Sequence, residues 1–90
     1  MEVIHDIKNH KFYCIVDGLE CFASYSVIDY KILDFNNTYT PTQLRGKGLA
    51  RKLFEEIVKY LEENDLKAVA SCSYAESFFS EDKYKKYLRK

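Results

Sequence analysis

Gln43-Leu44-Arg45-Gly46-Lys47-Gly48-Leu49-Ala50-Arg51-Lys52 is the stretch on which the reading of the whole chain turns. Just before it, Pro41 stops a strand, because proline has no N–H to give to a β-ladder. Just after it, Leu49/Ala50, Leu53/Phe54, Ile57/Val58 and Leu61 recur at the three-four spacing of an amphipathic helix, predicted over about Leu44 to Glu63. Gly46 and Gly48 let backbone N–H groups come close to an anion at the start of that helix. Arg45, Lys47, Arg51 and Lys52 crowd the same end, with no acid between Asp34 and Glu55. Each cation there opposes the helix dipole by roughly a few tenths of a kcal/mol. Four together are explained if an anion such as a pyrophosphate binds between them.

Upstream the pattern is that of an antiparallel meander. Lys11 to Val16 is β-branched and aromatic, Asp17-Gly18 is a type I′ hairpin signal, and Leu19 to Ile28 returns with Cys21, Ala23, Tyr25 and Val27 on one face. Asp29-Tyr30 turns into a third strand, Lys31 to Tyr39. There Ile32, Asp34, Asn36 and Thr38 alternate against Leu33, Phe35, Asn37 and Tyr39. A weaker strand, Glu2 to His5, precedes a turn at Asn9-His10. Downstream, Lys67 to Ser73 is a strand that the helix returns parallel to the third, which is the βαβ crossover. Tyr74 to Phe79 begins a short helix, and Ser80 leads to a last turn with Tyr84, Tyr87 and Leu88. On the long helix, Arg51–Glu55, Lys52–Glu56 and Glu55–Lys59 are spaced for ion pairs, each worth about 0.3 kcal/mol. Glu62, Glu63 and Asp65 sit at the end the dipole disfavours. The fold class is α+β (mixed α/β), in one domain over residues 1–90.

Composition narrows the function. Fourteen basic and fourteen acidic residues give a net charge of zero, which supplies no general drive toward nucleic acid or a membrane surface. Cys14, Cys21 and Cys72 are odd in number and lack disulfide or zinc spacing, and His5 and His10 are isolated, so no metal site is expected. Free thiols and the lack of a signal-like apolar segment point to the cytoplasm, with a monomer as the default state. His5 and His10 read as surface residues. Two phosphate motifs are rejected. A P-loop needs Ser or Thr after Gly-Lys, where Gly48 stands, and a dinucleotide fingerprint needs a third glycine that Gly48-Leu49-Ala50-Arg51 lacks.

What remains resembles the acyl-CoA pyrophosphate loop of the GNAT superfamily of N-acetyltransferases, Gln/Arg-x-x-Gly-x-Gly/Ala, matched by Gln43 to Ala50. The chain closely resembles a small, stand-alone GNAT-like subfamily, from the strand of Phe12 to Tyr87. Asn37-Thr38-Tyr39-Thr40-Pro41, Leu66-Lys67-Ala68 and Ser71-Cys72-Ser73-Tyr74 share in the match. That resemblance implies acetyl-CoA (coenzyme A) as the cofactor and an amine acceptor of unknown identity. Pantetheine would run between the third strand and the strand of Cys72, bonded by backbone near Tyr39 and Thr40. The amides of Leu44 to Leu49 would receive the pyrophosphate, with Arg45, Gly46, Lys47, Gly48 and Ala50 around it and Arg51 or Lys52 reaching the 3′-phosphate. Tyr74 and Phe78 would pack pantetheine, and the thioester would end beside Cys72.

Two positions depart from the resemblance. Asn37 stands where the small subfamily often has histidine, and its amide cannot act as a base. Phe79 stands where larger relatives carry the tyrosine that protonates the thiolate, leaving Tyr74 or Tyr84 for that role. Cys72 is then the candidate catalytic residue, as an acetyl carrier in a two-step route. The two helices that usually separate the first strands are absent, so the acceptor side should be open and suit a macromolecule. The alternative reading is a non-catalytic acyl-CoA-binding or sensing module.

Overall fold

The computed structural model describes residues 2–89. Its five strands are β1 (Ile4–Asp6), β2 (Lys11–Val16), β3 (Leu19–Asp29), β4 (Ile32–Tyr39) and β5 (Lys67–Ala70), and its two α-helices are α1 (Leu49–Glu63) and α2 (Ser73–Phe79). The sheet order is β1-β2-β3-β4-β5, antiparallel except for the parallel β4–β5 pair that α1 connects. Asp17 (φ 53°) and Gly18 (φ 75°) are both left-handed, as the hairpin between β2 and β3 requires. Lys31 N–H donates to Asp29 Oδ1 at 2.7 Å and fixes the turn into β4.

Both helices lie on one face of the sheet. Phe35 of β4 meets Phe54 of α1 (centroids 5.7 Å apart) and Phe79 of α2 (6.4 Å), and Phe54 and Phe79 meet edge-on at 5.9 Å. Leu53, Phe54, Ile57 and Leu61 are fully buried, each contributing about 1.5–3 kcal/mol by leaving water. The other face carries no helix among the described residues. On it a registered row crosses the sheet, Ile4–Tyr13–Phe22–Tyr39.

Several details depart from the sequence reading. Val27 is exposed, because β2 stops pairing at Lys11–Ser24 and nothing covers the far end of β3. Helix α1 starts at Leu49 rather than Leu44. Its far end closes on a Schellman arrangement with Asp65 left-handed (φ 54°) and Leu66 N–H on Leu61 O at 2.9 Å. Two of the three acids there have partners: Glu62 accepts the Tyr87 hydroxyl at 2.9 Å, and Asp65 meets Lys31 at 3.4 Å. Arg51–Glu55 forms at 3.6 Å, but Lys59 turns to Glu56 at 2.8 Å instead of Glu55. Strand β5 ends at Ala70, not Ser73, and the last turn spans Lys85–Tyr87.

His5 is not a surface residue. Its ring stacks on Phe12 (3.9 Å) and meets Tyr60 edge-on (4.5 Å), and Nε2 lies 2.6 Å from the Tyr25 hydroxyl. In the neutral tautomer with the proton on Nδ1 the hydroxyl donates and Nε2 accepts; protonation removes that acceptor. Burial holds the His5 pKa below its usual 6.5 and pushes Tyr25 up to about 12. The unfolded chain therefore takes up a proton at His5 more readily than the folded one. Its contribution to stability is complete above pH 6.5 and is lost as pH falls through 6.5 toward the lowered value. Urea denaturation should show a lower midpoint at about pH 5.5 than at about pH 7.5, with His5→Phe flattening the difference. An equal fall in that variant would contradict the assignment.

Candidate functional site

As far as Phe35, β4 is paired on both sides, with β3 and with β5. The Phe35 carbonyl then accepts the N–H groups of both Ser71 (3.0 Å) and Cys72 (3.2 Å), and the chain after β5 leaves the sheet to begin α2. Strand β4 runs on to Tyr39 paired with β3 alone, so its other edge has no partner strand from Asn36 onward. Ser24 opposes Asn37 while Tyr25 opposes Phe35, which makes Asn36 an extra, bulged residue. A bulge reverses the alternation beyond it. Thr38, expected on the Ile32/Asp34 face, instead opposes buried Ala23 and turns toward the helices. Its Oγ1 lies 3.4 Å from Cys72 Sγ, and Thr40 Oγ1 lies 3.3 Å from Cys21 Sγ. The Tyr39 side chain takes the opposite face, against Phe22 (5.7 Å).

The loop that follows is anchored and then opened. A 3-10 turn, Thr42–Leu44, buries Leu44. Gly46 (φ 82°) and Gly48 (φ 73°) are left-handed, and a Cβ at either would meet no atom within 4 Å. The conformation calls for glycine, and the space before it is empty. Lys52 N–H on Gly48 O (3.1 Å) begins the helical ladder, leaving the N–H groups of Leu49, Ala50 and Arg51 ahead of it without a helical acceptor. No acid or side-chain cap stands in that first turn.

Strand edge, loop and helix start enclose an open cleft of about 380 Å³. Its walls are Thr38, Tyr39 and Thr40 of β4, then Leu44, Arg45, Gly46 and Gly48 of the loop. Leu49, Ala50 and Arg51 of α1 and Tyr74 of α2 complete it. The sequence had singled out all of these except Thr38, which the hidden bulge brings in. Lys47, Phe78 and Cys72, also singled out, do not line it: Lys47 is exposed on the loop, Phe78 is in the core against Phe54 (5.3 Å), and Cys72 lies behind Thr38.

Two of the four cations are engaged within the protein. Arg45 Nε donates to Thr40 O at 3.2 Å and braces the loop. Arg51 makes a two-pronged pair with Glu81, Nη1 to Oε2 at 2.6 Å and Nη2 to Oε1 at 2.9 Å. Glu81 is thirty residues away in sequence, and no local signal in the chain announces it. The pair raises the Arg51 pKa and holds Glu81 below its usual 4.5, in both cases chiefly through their hydrogen bonds.

Cys72, expected in a strand, is the N-cap of α2: its sulfur accepts from Ala75 N–H at 3.4 Å. It is half-buried behind Thr38. Phe79 is fully buried with no hydroxyl to offer. Tyr74 is on the cleft wall, its pKa raised chiefly by burial, while Tyr84 stacks on Phe78 at 4.3 Å. A diphosphate suits the unpaired N–H groups of the helix start, and an amide-bearing chain suits the unpartnered strand edge.

The profile of the family described as "GCN5-related N-acetyl-transferase" matches residues 11–88. The chain belongs to this family. It is 30% identical over 90 residues to Protein NATD1 of Gallus gallus, covering 98% of this chain and 82% of that protein. It is 28% identical over 92 residues to Protein NATD1 of Homo sapiens, covering 100% of this chain and 81% of that protein. A GCN5-like protein from Staphylococcus aureus, solved in solution by NMR, superposes with a TM-score of 0.77 at 29% identity, over 98% of this chain and 87% of that one. The mixed α+β architecture is thus that of a GCN5-like acetyltransferase.

Because the strain at Gly48 comes from φ and not from crowding, Gly48→Ala should cost about 1–2 kcal/mol in denaturant unfolding at unchanged m-value. A neutral substitution would show that the loop is not held left-handed.

Proposed function

We propose that this chain transfers an acetyl group from acetyl-CoA to an amine, with Cys72 as carrier. The observation that carries the reading is the cleft itself, where an unpartnered strand edge leads from the region of Cys72 to a glycine loop and the free N–H groups of a helix start. Backbone of Thr38 to Thr40 would hold the pantetheine arm, the loop amides the diphosphate, with Lys47 supplying charge. Tyr74 forms the side wall.

In the first step Cys72 Sγ, as a thiolate, attacks the thioester carbon. The new carbon–sulfur bond forms as the bond to the coenzyme sulfur breaks, and the coenzyme leaves as a thiol carrying the proton that Cys72 gave up. In the second step a neutral amine attacks the same carbon, the bond to Sγ breaks, and the amine proton returns to Cys72. Ala75 N–H and the Thr38 hydroxyl, each 3.4 Å from the sulfur, hold Sγ in place. Phe79 offers no hydroxyl for a direct one-step transfer, so the acid of that route would be Tyr74 on the cleft wall.

The uncovered sheet face suits a macromolecular acceptor, since nothing there builds a closed pocket for a small one. Three unpaired thiols fit a reducing compartment, and we read the protein as a cytoplasmic monomer.

Mass spectrometry after incubation with acetyl-CoA tests the route. The expected product is a single acetyl on Cys72, discharged by added amine, with Cys72→Ala binding the coenzyme normally and transferring nothing. Full transfer by Cys72→Ala would overturn the carrier. Coenzyme binding with neither label nor turnover would favour the non-catalytic binding module.

A further inference from the structure

Coenzyme A carries three phosphoryl groups: a diphosphate and a phosphomonoester on the ribose. Each asks for positive charge or free N–H groups, and around this cleft that supply can be counted. The N–H groups of Leu49 to Arg51 and the exposed Lys47 serve one anion at the loop. Arg45 has its Nε on the Thr40 carbonyl. Lys52 lies on the far flank of α1, lining a shallow depression with Glu2, Glu55 and Glu56.

Arg51, on the cleft wall in the first turn of α1, has its two terminal nitrogens turned to a carboxylate. Glu81 takes both terminal nitrogens at 2.6 and 2.9 Å, and Glu55 stands 3.6 Å from Nε. The plane packs against Phe78 (5.5 Å to the ring) and Tyr84 (6.0 Å), and those two rings stack on each other at 4.3 Å. A fork-to-fork pair uses the same parallel donors that a phosphate would. Glu81 and Glu55 face this guanidinium, with Lys83 near Glu81, so the charge of Arg51 is matched within the protein before a phosphomonoester arrives.

We propose that Glu81 removes Arg51 from phosphate recognition, so that the cleft selects an acyl donor by its diphosphate and pantetheine and ignores the ribose phosphate. This rests on the coenzyme reading above and specifies which part of the coenzyme is read. The resemblance placed Arg51 or Lys52 at the 3′-phosphate, and this proposal takes Arg51 away from it. Glu81 acts as a specificity residue through Arg51 and touches no reacting atom.

The test is calorimetric titration of the full chain with acetyl-CoA and with acetyl-3′-dephospho-CoA at equal ionic strength. The two dissociation constants should agree within about threefold. In Glu81→Gln the guanidinium is released, and acetyl-CoA should then bind about tenfold more tightly than the dephospho donor, whose own affinity stays at the wild-type value. A wild-type preference of about tenfold or more for acetyl-CoA would overturn the inference while leaving the coenzyme reading intact. An unchanged ratio in Glu81→Gln would also overturn it. Binding of neither donor would be the distinct failure of the coenzyme reading, and this inference would fall with it.

Discussion

One carbonyl governs the architecture of the candidate site. Phe35 O takes two N–H groups, those of Ser71 and Cys72, and with that doubled acceptance the parallel pairing of β4 with β5 comes to an end. A backbone N–H needs an acceptor when buried, so the chain after Ala70 must find others, and it does so by starting α2 with the Cys72 sulfur as cap. Strand β4, still held by β3, continues alone. The parting yields an unpaired strand edge, a thiol at its base and space for a ligand, all from where one ladder stops.

Around that parting the donors left without a partner are mainly backbone. The side-chain cations at the loop are largely spoken for, by Thr40 O in the case of Arg45 and by Glu81 in the case of Arg51. The left-handed glycines and the start of α1 supply uncommitted donors instead. Such donors are fixed by the fold and cost no side-chain ordering on binding. The Arg51–Glu81 pair also fastens the start of α1 to the segment after α2, so the two helices that flank the cleft are tied at its rim. Because both helices occupy one face of the sheet, the other face carries no helix among the described residues.

Much of this was legible along the chain. Strand β2, the Asp17-Gly18 hairpin and the stripe of α1 follow from alternation, turn chemistry and three-four spacing, and Gly46 and Gly48 marked the loop that enters α1. What escaped the sequence depended on contacts across it. Asn36 looks like any polar residue in an alternating strand, and only pairing with β3 reveals it as a bulge that turns Thr38 inward. The start of α1 was placed too early because Leu44 is apolar like the stripe that follows it, although it is buried in the 3-10 turn instead. His5 looked solvent-exposed because its neighbours Phe12, Tyr25 and Tyr60 arrive from three other elements. Glu81 could be connected to Arg51 only once α2 had folded back.

The most direct measurement is the backbone amide NMR spectrum of the protein titrated with acetyl-CoA. Shifts concentrated in residues 38–51 and around Cys72, with the His5–Tyr25 cluster unmoved, are the result expected if the parted strands and the loop form the coenzyme site. An unchanged spectrum at about millimolar ligand, where even weak complexes are populated, would contradict it.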